Sequence, residues 1–421
     1  MSTWPTKKLG ETSVSLNSKI KMQKSRLQLK NKKWDYIPIL KYCDFERGTE
    51  PGSASYNREG DGVPFIRVGN IAAQIQEQIY TVSKNIKLCK KDDLLLVLDG
   101  SPGVVVRGIE GAFSSGIRRI IIKNPGKILK AFILYVLQAN FVQNTIKEYS
   151  TGVTIKHASK SLEYIQIPLP SFPEQQKIVE VLDTIQEGVN VQDKIIEKIK
   201  EMKKSLLNEI FNSKFKNQKS KLQIKIQKWE KLEEVAKIER GKFAHRPRNA
   251  PEYYGGDIPF IQTNDVTLSN GHIKKYNQTL NKKGLSVSRI FPRGTIVITI
   301  AANIGYSAII DFDSAFPDSL VGITPNKNEL DSEYLNYYLM SQQKKMDEEA
   351  PRGTQKNINI QFLNKWLVPI FLLPEQREIA EILQTVDRKI EIEQKKKALY
   401  EELFKTMLNK LMNREIKITK I

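Results

Sequence analysis

Apolar residues recur in alternating steps of four and three from Ile178: Ile178, Leu182, Ile185, Val189, Gln192, Ile196, Ile199, Lys203, Leu206 and Ile210, of which eight of ten are apolar. A second register runs Ile379, Leu383, Val386, Ile390, Glu393, Lys397, Tyr400, Phe404, Met407 and Leu411, again eight of ten if tyrosine is counted. This spacing predicts two long helices, each with a coiled-coil seam. Their other faces are too charged for them to stand alone, so they are expected to pair. A parallel pair would force the connector 213–228 to retrace nearly a whole helix at full stretch, which makes an antiparallel pair the expectation. Gln192, Lys203, Glu393 and Lys397 interrupt the seam, either fixing its register or forming a solvated stutter. Short, partly β-branched apolar runs at Asp92–Asp99 and Thr295–Ile300, bracketed by Gly and Pro, predict buried strands. Leu129–Tyr149 and Asp331–Glu349 read as helix. The stretches outside the long helices are thus expected to be mixed α/β, of α+β type, with strands outnumbering helices.

The pattern occurs twice because the chain repeats. Asn17–Trp34 matches Asn212–Trp229 at an offset of 195 with 12 of 18 positions identical, and Pro173–Ile185 matches Pro374–Val386 at an offset of 201 with 7 of 13 identical. Between these blocks Glu46-Arg47-Gly48 echoes Glu239-Arg240-Gly241, Pro64-Phe65-Ile66 echoes Pro259-Phe260-Ile261, and Gly152 echoes Gly353. Two copies of one unit follow. With antiparallel helices they are related by a pseudo-twofold axis, which brings the C-terminal tail near the connector-like segment at Asn17.

At 421 residues the chain suggests more than one domain. Its 67 Lys+Arg against 47 Asp+Glu, a net charge of +20, point to an extended polyanion as partner, nucleic acid first. The longest apolar stretch, Ala131–Val142, already contains Gln138 and Asn140, so no membrane span is expected. Met1–Gly10 lacks the apolar run of a secretory signal, and Cys43 and Cys89 cannot make a disulfide framework, which makes the cytoplasm the expected location. His157, His245 and His272 lack ligand spacing, so no structural zinc is expected. No phosphate-binding loop, dinucleotide fingerprint, nucleophile elbow or zincin motif is present, nor an Asn/Asp-Pro-Pro-aromatic motif that would grip a flipped adenine. The chain is therefore expected not to be an enzyme.

The residues resemble the specificity subunits of type I restriction-modification systems. The resemblance rests on the Pro-Glu-Gln openings of the long helices (168–176 and 369–377), on Gly-Val-Pro-Phe-Ile-Arg (62–67) and Gly-Asp-Ile-Pro-Phe-Ile (256–261), and on Gly-Thr-Gln-Lys-Asn-Ile (353–358). The first half departs from the pattern at 151–156, where the polar residue before Lys156 is missing. The resemblance implies an N-terminal segment and connector (1–33), a target-recognition domain (34–170), a central spacer helix (171–212), a basic connector (213–228), a second target-recognition domain (229–371), a C-terminal spacer helix (372–413) and a tail (414–421). Each domain would read one half of a split, asymmetric site on double-stranded DNA. The helices would set the spacing and dock two methylation subunits, which carry S-adenosylmethionine, and restriction subunits would join that core. The chain itself would hold no cofactor. A free-standing, sequence-tolerant DNA-binding or architectural protein without enzyme partners is the alternative, to be separated by copurification. A fused methyltransferase would need a cofactor site missing from these residues. Divergence between 53–130 and 251–327 agrees with unlike half-sites read from a like frame.

Arg reads guanine bidentately and Asn or Gln adenine, whereas Lys mostly meets phosphate. The expected contacts are Arg47, Asn57, Arg58, Arg67, Arg118 and Lys156 in the first domain. In the second they are Arg240, Arg246, Arg248, Gln262, Asn264, Arg352, Gln355 and Lys356. Against these stand ordinary roles: a strand-end hydrogen bond for Arg67 and Gln262, an exposed Pro-rich loop for Arg246 and Arg248, a salt bridge for Arg118. Gly152 and Gly353 are expected to permit positive φ or close approach to phosphate. The basic run 17–33 lies either on the DNA backbone or in solvent.

Overall fold

The computed structural model describes residues 27–28, 34–72, 77–211, 226–245, 247–351 and 356–418. The connectors 17–33 and 213–228 therefore lie mostly outside the described residues, as do Arg246, Arg352, Gly353 and Gln355. The chain divides into two compact units, 1–193 with 395–421, and 194–394.

In the first unit the strand Leu94–Val97, buried at all four positions, is paired with Val105–Val106 on one side and Ile117–Ile122 on the other, and Cys43–Arg47 completes an antiparallel sheet. A burial pattern this continuous is what a central strand covered on both faces requires. A second sheet of five strands runs in the order Tyr56–Asn57, Ile79–Thr81, Val63–Ile66, Gly111–Phe113, Leu88–Cys89. The helix expected over 129–149 is broken: Ala139 takes ψ 145° between helices Lys130–Gln138 and Asn140–Glu148. The break is stabilised locally, because Gln143 donates to the Leu137 carbonyl (2.6 Å) and Asn409 accepts from the Asn140 amide (2.9 Å).

The second unit repeats the plan. Ala236–Arg240, Leu320–Pro325, Ile296–Thr299, Ser307–Ile310 and His272–Ile273 form one sheet in that order, the last pair parallel. Helix Ser332–Glu349 begins at Asp331, whose carboxylate caps the amides of Glu333 and Tyr334 at 3.0 Å.

The two long helices span Phe172–Phe211 and Leu373–Met412, 40 residues each. In the first unit the start of one helix (Ile178, Leu182, Ile185) shares a core with the end of the other (Met407, Leu408, Leu411). In the second, the end of the first helix (Ile210, Phe211) shares a core with the start of the second (Ile379, Ala380, Leu383). The pair is thus antiparallel, as the seam and connector length predict. None of the 16 apolar seam positions is exposed. The polar interruptions are not a solvated stutter either. Lys203 donates to both Asp387 oxygens at 2.6 and 2.8 Å and Lys397 pairs with Asp193 at 2.6 Å, while Gln192 and Glu393 are buried. Leu27–Gln28 pairs antiparallel with Lys417–Ile418, so the first connector does meet the tail.

Both helix openings are held by the same device. Glu174 accepts from the Ser171 amide and Glu375 from the Leu372 amide, which closes the first turn. Gln175 and Gln376 are fully buried. Gln175 accepts from the Leu129 amide and donates to the carbonyls of Lys127 and Pro170. Gln376 does the same with the Asp331 amide and the Glu329 and Phe371 carbonyls. Each long helix is thereby pinned to the start of its own domain's helix.

One tie in the second unit carries a pH dependence. His272 lies between Asp311 (2.9 Å) and Glu333 (3.0 Å), and its hydrogen bond to Glu333, with a further contribution from Asp311, raises its pKa to about 9 against the opposing effect of burial. Folding therefore takes up a proton between the unfolded value near 6.5 and the folded one. The stabilisation is complete below about pH 6.5 and is lost as pH rises through about 9. Thermal scans should find His272→Gln destabilising at pH 6 and much less so at pH 10; a pH-independent gap would refute the protonated tie.

Candidate nucleic-acid interface

In each unit an edge strand ends in Glu-Arg-Gly and crosses a turn of the neighbouring strands. The Gly48 amide donates to the Ile117 carbonyl (3.1 Å) and the Gly241 amide to the Leu320 carbonyl (2.9 Å). A Cβ at Gly48 would lie 2.2 Å from the Ser114 oxygen, and at Gly241 2.2 Å from the Pro317 oxygen, so the crossing admits only glycine. The crossing sets the preceding arginine over the turn: Arg47 Nε donates to the Ser115 carbonyl (3.2 Å), Arg240 Nε to the Asp318 carbonyl (2.6 Å). Both arginines are exposed. The glutamates before them point to the sheet, Glu46 to Arg119 (2.7 Å) and Glu239 to Arg289 (3.0 Å).

The Pro-Phe-Ile strands deliver a second matched pair. Arg67 and Gln262 each precede a short helix, and each amide is capped from three residues on, by Asn70 (2.9 Å) and Asp265 (2.8 Å). The side chains then diverge. Arg67 and Arg58 share Glu77 (3.6 and 2.7 Å), whereas Gln262 donates to Gln278 (2.9 Å) with Asn264 exposed beside it.

The third element is the loop ending in Lys156. Lys156 and His157 pair with Gly100 and Asp99, and His157 Nδ1 lies 2.8 Å from Asp99. In the second unit Asn357 bridges to Ala301 in the corresponding way, and Lys356 pairs with Asp347 at 2.9 Å. The strand end beside each loop turns through positive φ, at Gly100 (86°) without strain and at the alanine Ala302 (61°) with it.

These segments are knitted together. The Ser115 carbonyl accepts from Arg47 and Arg118, and Asp99 pairs with Arg118 and His157, which places Arg47, the 114–118 turn and Lys156 along one edge of the first domain. In the second, Asp318 accepts from Arg240 through its carbonyl and pairs with Arg248 through its carboxylate. Two of the expected contacts are engaged within the domain. Arg118 is 6% exposed, with its guanidinium committed to Ser115, Ile117, Asp99 and Ser159, so it braces the edge and does not face out. Asn57 closes its own turn, donating to the Asp61 carbonyl and accepting from the amides of Gly60 and Asp61. Arg248 is exposed and paired with Asp318. Among the described residues no group of His, Cys, Asp and Glu is arranged to hold a metal ion, and no helix is long and apolar enough to cross a membrane.

A family model described as type I restriction modification DNA specificity domain matches residues 31–201 and again 226–402. The type I restriction enzyme MjaVIII specificity subunit of Methanocaldococcus jannaschii is 26% identical over 412 residues, covering 91% of this chain and 93% of that protein. The crystal structure of a type I restriction-modification S subunit from M. genitalium superposes with a TM-score of 0.55 at 18% identity, over 92% of this chain and 98% of that one. A chain solved in work on complex assembly and conformational transition of the type I R-M system superposes with a TM-score of 0.61 at 16% identity, over 92% and 99%.

Proposed function

From the premise that the chain belongs to the type I restriction-modification DNA specificity family, we propose that its two domains, 34–170 and 229–371, each read one half of a split DNA site through the edge built on Arg47 and on Arg240. The chain is a noncatalytic specificity subunit. Methylation subunits dock on the long helices, restriction subunits join them, and helix length sets the gap between half-sites; each helix is about 60 Å long at 1.5 Å per residue. One observation carries the reading: the glycine crossing holds an exposed arginine at the same place in both domains, while the neighbouring reading positions differ, Arg58 and Arg67 against Gln262 and Asn264. A constant frame with unlike polar groups is what two unlike half-sites demand, since base edges are told apart by their donor and acceptor pattern.

The test is copurification with a methylation subunit, followed by binding to the site that methylome sequencing identifies. Arg47→Ala and Arg240→Ala should each weaken binding to that site by about 10- to 100-fold and relax preference in one half only, a different half for each. Lys156→Ala and Lys356→Ala should weaken all sequences alike and reduce the log-log salt slope by about one. If either arginine variant relaxed both halves, the assignment of one domain to one half would be wrong.

A further inference from the structure

The loop between Thr151 and His157 is closed at its base by backbone pairing, yet its tip is apolar. Thr151 and His157 exchange both backbone hydrogen bonds (2.9 and 2.8 Å). Gly152 turns at φ 98°, and a Cβ there would meet the Ile155 carbonyl at 2.1 Å. Between these clamps Val153 is fully exposed and Ile155 is 56% exposed. Solvated turn tips are normally polar, and two β-branched residues here have little rotamer freedom to lose on contact. The surroundings say what they meet. Lys156 and Lys160 are exposed beside the tip, and the loop is paired to the Asp99–Gly100 strand end that Arg118 braces beneath Arg47.

We infer that Val153 and Ile155 read the 5-methyl group of thymine in the major groove of the half-site bound by the first domain. Flanking cations select a polyanion, and among its base edges the thymine methyl is the one apolar protrusion in the major groove. The minor groove offers no such methyl. The repeat supports the assignment. At the matching place the second copy has Arg352-Gly353-Thr354-Gln355-Lys356, so a polar residue stands where the first copy carries an aliphatic one. One head would read a methyl where the other reads a hydrogen-bonding edge. The inference rests on the proposed DNA reading and names a specificity residue within it.

The experiment uses the full chain with its methylation subunit and duplexes carrying the methylated site. Each thymine is replaced in turn by deoxyuridine, which removes only the methyl. Wild type should lose about fourfold in affinity at one or two thymines of a single half-site, the worth of one buried methyl-sized group. The Val153→Ala/Ile155→Ala variant, with an unchanged thermal midpoint, should show almost no such loss at those thymines. The inference is overturned if no thymine distinguishes the two proteins while site-specific binding persists, or if the half-site relaxed by Arg47→Ala contains no A·T pair. Equal weakening on unrelated DNA, or loss of the methylation subunit from the variant, would also overturn it. If wild type shows no site preference at all, the recognition reading itself fails, and this inference with it.

Discussion

Replacing Gln376 by leucine should destabilise the second domain by about 3–5 kcal/mol, although the new side chain is apolar, similar in size and enters a fully buried site. The amide satisfies three backbone atoms at once: the Asp331 amide and the Glu329 and Phe371 carbonyls, all at 2.8 Å. Losing it leaves buried polar groups unpaired, at about 1–3 kcal/mol each before relaxation. Asp331 is also the cap of helix Ser332–Glu349, so the damage reaches the helix that covers the sheet. A thermal scan of the full chain should show the midpoint of the affected domain falling by about 10 °C. Arg377→Leu, one residue on and exposed, is the silent control. Gln175→Leu should behave alike in the first domain, which makes identical connections. A loss below about 1 kcal/mol at both sites would refute the pinning role.

Gly241→Ala should cost about 3 kcal/mol and should also impair recognition. The added carbon would lie 2.2 Å from the Pro317 oxygen and 2.6 Å from both the Phe316 oxygen and its ring. Two of those atoms are backbone, so the strand and the turn it crosses must separate; overpacking of this kind costs about 1–3 kcal/mol or more. Separation moves Arg240 off the Asp318 carbonyl, so affinity for one half-site should fall as is expected of Arg240→Ala. Gly48→Ala should do the same for the other half-site through Arg47. Gly126→Ala, whose new carbon meets nothing closer than 3.6 Å, should change neither stability nor binding. Full affinity in Gly48→Ala and Gly241→Ala would mean that the crossing does not set the arginines.

The Pro-Glu-Gln opening shows how a signal can be read correctly while its meaning stays hidden. Its recurrence marks both long helices, but nothing local says that the glutamine faces inward to its own domain, because two of the three groups it satisfies lie 45 to 48 residues away. The bracing role of Arg118 was hidden for the same reason. Arginine in a turn-rich segment reads as a base reader, and only the fold brings Asp99 and Ser159 to its guanidinium. Asn57, by contrast, was decipherable in principle: an asparagine two residues before Glu59-Gly60-Asp61 is a turn-closing pattern.

What the sequence determined by itself was whatever repeats over short range. The seam spacing, the two offsets and the basic balance were enough for two long paired helices, two mixed α/β domains and a polyanionic partner, because side-chain periodicity and net charge do not depend on how distant segments meet. Tertiary structure alone decided which charges face outward. Lys203 finds Asp387 across 184 residues, Ala139 leaves the helical path where Asn409 can cap the next turn, and the Arg47 and Arg240 crossings exist because a turn from elsewhere in the chain passes beneath a glycine. A polar side chain's role is set by the partner that desolvates or neutralises it, and that partner is a property of the fold.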